Sequence, residues 1–74
     1  MSITLKQGLI LKSSDGEYVY NIYSYNPNEE IMVVDILNRQ LETLATRNWK
    51  KEDFQKQVDA GTIVEFKDDE LIGG

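Results

Sequence analysis

Hydrophobic and polar positions along the chain alternate in short runs, broken by turn formers, until a single stretch changes period. Gly8-Leu9-Ile10-Leu11-Lys12 predicts a first strand, and Ser13-Ser14-Asp15-Gly16 a tight turn in which Asp-Gly supplies positive φ. Glu17 to Tyr25 is dense in β-formers and predicts the second strand. Asn26-Pro27-Asn28 ends it, because proline removes a ladder donor and asparagine tolerates left-handed geometry. Glu30 to Leu37 predicts a third strand.

Residues 38–47 admit two readings. Leu41, Leu44 and Ala45 fall at i, i+3, i+4 and fit a helical face. Asn38-Arg39-Gln40 also fits a short turn that returns Leu41 to Thr46 along the third strand, and the strand is the favoured reading. The change of period comes next. Trp49 to Ala60 predicts the one short helix, with Asn48 as N-cap and Glu52 and Asp53 in the first turn, where the helix dipole favours negative charge. Phe54 and Val58 share one face, and Ala60-Gly61 supplies a left-handed stop. Thr62 to Phe66 predicts the closing strand. Residues 1–67 are therefore expected to form a single domain, and 68–74 an acidic, mobile tail.

Taken together, Gly8, Asp15-Gly16-Glu17-Tyr18, the apolar third strand ending in Asp35, and the Phe54, Val58, Gly61, Ile63 step resemble an SH3-like small barrel. That resemblance implies a mainly β fold: a five-stranded antiparallel barrel with one short helix before its last strand. Similar small barrels occur in transposases, bacteriophage accessory proteins and ribosome-associated proteins, so the resemblance names a shape and no single activity. The ending Leu71-Ile72-Gly73-Gly74 invites comparison with ubiquitin-like proteins, but those folds place their main helix after the first hairpin.

Composition narrows the function classes. The chain holds no cysteine and no histidine, which removes the common zinc and iron–sulfur ligands and imidazole catalysis. No metal, cofactor or catalytic residue is expected, and the protein is read as no enzyme. Asp68-Asp69-Glu70 has oxygen ligands but no calcium-loop spacing. Thirteen acidic against eight basic residues give a net charge of −5, which opposes nucleic acid and anionic membranes at long range. No stretch approaches the roughly 18 apolar residues of a membrane span, and no secretory signature opens the chain, so a cytoplasmic protein is expected.

Two surfaces remain as candidates. All four tyrosines lie between Tyr18 and Tyr25, and strict alternation puts Tyr18 and Tyr20 on one face and Tyr23 and Tyr25 on the other. Tyr23 and Tyr25, with the acidic turns at Asp15, Glu17, Glu29 and Glu30, then form a surface for a protein partner. Such a surface suits an accessory or inhibitory protein of a phage or mobile element, one that presents carboxylates in place of phosphates. The alternative is a nucleic-acid patch of Arg39, Arg47, Trp49, Lys50 and Lys51, in which Trp49 stacks a base. Trp49 has a structural role open to it as well, as a plug between helix and sheet. A third alternative is a homo-oligomeric subunit pairing through strand edges.

Overall fold

The structure, a computed structural model, describes residues 3–66. The expected acidic tail at 68–74 lies outside the described residues. Strands β1 (Ile10–Ser13), β2 (Val19–Ser24), β3 (Ile31–Leu37) and β4 (Thr43–Lys50) precede helix α1 (Lys51–Asp59) and strand β5 (Ile63–Glu65). They form one five-stranded antiparallel sheet in the order β4-β3-β2-β1-β5. The mainly β class and the element order are those the sequence predicts. The sheet is open: β4 and β5 are its two edges, and α1 spans from one to the other.

Paired positions share a face, so the register sorts the residues into two layers. Leu11, Tyr20, Ile36 and Ala45 line up across four strands, as do Ile22, Val34 and Arg47, then Met32 and Trp49. This is the core face. Its buried cluster joins Leu5, Leu11, Ile22, Met32, Val34 and Ile63 to Phe54 of the helix, which has no exposed surface at all. Tyr20, Trp49 and Phe54 meet edge to face in all three pairs, with centroids 5.1–6.2 Å apart. Such pairs add about 0.5–1.5 kcal/mol beyond area burial. The expected plug is therefore shared: Phe54 enters the core and Trp49 flanks it.

Helix α1 starts two residues later than the sequence predicts. Asn48 and Trp49 continue the ladder opposite Val33 and Met32, so Lys50, not Asn48, is the N-cap, and its side chain makes no capping bond. The Lys51 amide donates instead to the Glu30 carbonyl, 2.9 Å away. The C-terminus closes as expected at Gly61 (φ 83). Its amide reaches the Val58 carbonyl and the Thr62 amide the Gln57 carbonyl, the paired bonds of a Schellman stop.

Residues 38–47 resolve to turn and strand. Asn38 organises the β3–β4 hairpin: its Oδ1 accepts from the Gln40 and Glu42 amides, and its Nδ2 donates to Glu42 Oε1, each at 2.9 Å. The loop requires a left-handed residue, a position usually held by glycine or asparagine, and here Leu41 occupies it at φ 65. A leucine there costs about 1–2 kcal/mol.

A core of this size supplies on the order of 3–5 kcal/mol net. Phe54→Ala should remove about 3–5 kcal/mol. Urea denaturation followed by Trp49 fluorescence is expected to show a largely unfolded chain without denaturant.

Candidate functional site

Because the first four strands form a meander, successive turns fall at opposite ends of the sheet. The Asp15–Glu17 turn and the β3–β4 hairpin share one end; the 25–30 loop and the start of α1 share the other. This geometry divides both candidate surfaces. Asp15 and Glu17 are separated from Glu29 and Glu30 by the length of β2, so the acidic turns do not make one face. Likewise, the length of β4 separates Arg39 from Lys50 and Lys51.

The tyrosines depart from simple alternation. A bulge between Ile22 and Ser24 leaves Tyr23 unpaired and 62% exposed. The extra residue shifts everything after it by one position, and Tyr25 turns toward the core, half-buried against it. Tyr23 and Tyr25 thus do not form one exposed pair. Lys51 Nζ lies 4.1 Å from the centroid of the Tyr25 ring and donates to the Asn26 carbonyl. Tyr25, Pro27, Glu29, Glu30, Lys50, Lys51 and Glu52 line a polar cleft in which carboxylates surround the two lysines. Two members of the expected basic patch are therefore set among acids.

Of the other three, Arg39 lies in the β3–β4 hairpin, while Arg47 and Trp49 stand together elsewhere. With Tyr18, Tyr20, Ile36, Leu44 and Ala45 they line an open cavity of about 280 Å³ on the core face, beside the outer edge of β4. Tyr18 is 46% exposed and Leu44 55%. Leu44 owes its position to a second irregularity, since Ile36 pairs with Ala45 and Leu37 with Thr43, leaving Leu44 between them. No sequence pattern announces that bulge. Arg47 and Trp49 were legible as a pair from their two-residue spacing on a strand. Tyr18 and Tyr20 were legible as sharing a face, though not as facing Trp49.

β4 itself carries Arg47 and Lys50 and no carboxylate, unlike the chain around it. No strand covers its outer edge among the described residues. Also among the described residues, no three carboxylates gather in a group suited to a metal ion, and no helix is long and apolar enough to cross a membrane.

At the other end of β2, the Asp15 carboxylate accepts from Ser13 Oγ at 2.6 Å and from the Glu17 amide at 3.0 Å. The Ser13 hydroxyl, then the Glu17 amide, hold its pKa below the ordinary value of 3.8. Burial raises the Tyr20 hydroxyl, with the Asp15 charge a smaller cause. Since the folded pKa of Asp15 is depressed, its contribution is complete above 3.8 and disappears as pH falls through the lower folded value. Asp15→Asn should therefore flatten the stability loss below pH 3.8, in urea titrations across the acid range, and leave the neutral range unchanged in slope.

Comparison with protein-family models, with characterised proteins and with solved structures finds no match to this chain.

Proposed function

We propose that the protein is a non-enzymatic protein-binding module that takes an extended, acidic segment of a partner protein along β4. The observation that carries this reading is the aromatic cavity of Tyr18, Tyr20 and Trp49 opening beside an eight-residue edge strand. An exposed edge offers a row of backbone donors and acceptors to an incoming strand, and a pocket beside it selects the side chains that strand presents. Tyrosine and tryptophan give large contact area at small entropic cost, and Arg47 at the rim pairs with a carboxylate. The basic character of β4 supports an acidic partner and opposes pairing of β4 with a second copy of itself, which would set like charges together.

The strand order, with the helix placed before the last strand, supports an SH3-like small barrel left open between β4 and β5. The surface differs from the acidic, tyrosine-rich one read from sequence: Tyr18 and Tyr20 replace Tyr23 and Tyr25, and the turns Asp15, Glu17, Glu29 and Glu30 fall outside it.

A displayed library of random peptides, selected against the full chain, is expected to return extended sequences with carboxylates next to an apolar or aromatic residue. Amide shifts on adding a selected peptide should concentrate on Thr43 to Lys50 and the Trp49 indole. Tyr18→Ala and Arg47→Glu should each weaken binding about tenfold or more while the fold persists. Shifts confined to the cleft of Tyr25 and Glu30 would place the interface elsewhere. Tight, steeply salt-dependent binding of a single-stranded oligonucleotide, reduced by Arg47→Glu, would establish the nucleic-acid alternative instead.

A further inference from the structure

The backbone of β4 fixes which of its groups an added strand meets. At one end the Lys51 amide donates to the Glu30 carbonyl at 2.9 Å. In an antiparallel ladder the amide and carbonyl of one residue point to the same side, and successive residues alternate. Lys51, Trp49 and Arg47 therefore turn their backbone groups toward β3, and those of Lys50, Asn48 and Thr46 point to the open edge. At the other end the Asn38 amide donates to the Glu42 carbonyl, so an even-numbered residue faces β3 there. The change of phase falls at Leu44, the extra residue between the Leu37–Thr43 and Ile36–Ala45 pairs. An incoming strand finds a regular row from Thr46 to Lys50 that stops at the bulge.

This row decides which side chains reach the cavity. Residues of the added strand opposite Trp49, Arg47 and Ala45 lie on the core face, and their neighbours in sequence lie on the other. Arg47 is exposed, and among the described residues it forms no ion pair. Ala45 is the smallest side chain of β4, so a group reaching across it enters the space bounded by Ile36, Leu44, Tyr18 and Tyr20. At about 280 Å³ that space is below the roughly 300–1,000 Å³ of small-molecule sites and suits a single large side chain.

Resting on the peptide-binding reading above, we infer that the β4 edge selects one strand direction and one spacing. The segment it takes runs antiparallel to β4, with a carboxylate opposite Arg47 and, two residues later, an aromatic or large aliphatic side chain opposite Ala45. The order follows from the direction, because a strand antiparallel to β4 meets Arg47 before Ala45. Antiparallel addition is favoured on two grounds. It continues a sheet in which every neighbouring pair is antiparallel, and such ladders are the more stable per residue. It also makes the position opposite Arg47 a non-hydrogen-bonded pair, where Cα atoms stand about 4.5 Å apart and side chains are closest. The carboxylate is held there against the guanidinium fork. The residue between the two faces away, on the side where Thr46 is already bonded to Asp35 at 2.7 Å, and escapes selection.

The test titrates short threonine-rich peptides of one composition, each with one glutamate and one phenylalanine, against the full chain, followed by Trp49 fluorescence and amide shifts. Glutamate two residues before phenylalanine should bind about tenfold or more tighter than the same residues reversed or adjacent. A nitroxide on the N-terminus of that peptide should broaden the amides around Lys50, and one on its C-terminus those around Leu44. Arg47→Glu should transfer the preference to a peptide with lysine in place of glutamate. Ala45→Leu should remove the advantage of phenylalanine over alanine and keep that of glutamate. Equal binding of the three arrangements at Thr43 to Lys50, or the opposite nitroxide pattern, overturns the spacing and direction while the peptide-binding reading stands. Both of these outcomes are read on wild type, so neither depends on a variant folding. If none of the peptides shifts the β4 amides, the peptide-binding reading falls as well.

Discussion

Everything in this fold depends on Phe54 reaching the sheet. The chain has no disulfide to limit its unfolded state, and one helix of nine residues covers the core face. Such a helix is too short to persist alone in water. It forms because Phe54, fully buried, joins the side chains of four strands and meets Tyr20 and Trp49 edge to face. The same contact sets where the helix runs, and so which part of the core face stays uncovered. The cavity beside β4 is what α1 leaves open, and Trp49 serves both surfaces because it stands at their boundary.

Much of the architecture was legible because periods of two and of 3.6 residues rarely imitate each other over full-length elements. Asp15-Gly16 and Ala60-Gly61 marked a turn and a helix stop whose glycines do adopt positive φ. What failed to show were the insertions. One extra residue at Tyr23 reverses the orientation of Tyr25, and no feature of Ile22-Tyr23-Ser24 signals it locally. The helix start was misplaced for a related reason. Asn48 is a good cap in isolation, but pairing with β3 continues through Lys50 and outweighs that preference.

The candidate site was legible in its residue types more than in its grouping. Arg47 and Trp49 stood out together, whereas joining them to Tyr18 and Tyr20 requires the register of three strands. The acidic turns looked like one surface only because sequence gives no account of which end of a meander each turn occupies. Leu41 was invisible for a different reason. A leucine between polar residues reads as strand or helix, and only the backbone reveals that it sits where its own side chain is disfavoured.

The two edges of the sheet are unequal: β4 has eight residues and β5 three. The short edge is entered directly from the Schellman stop, with the Ser14 amide already donating to the Thr62 carbonyl. A strand added to β4 has eight residues to pair with, whereas the opposite edge offers three. The two edges are therefore poorly matched to one another, which disfavours extension of the sheet from copy to copy.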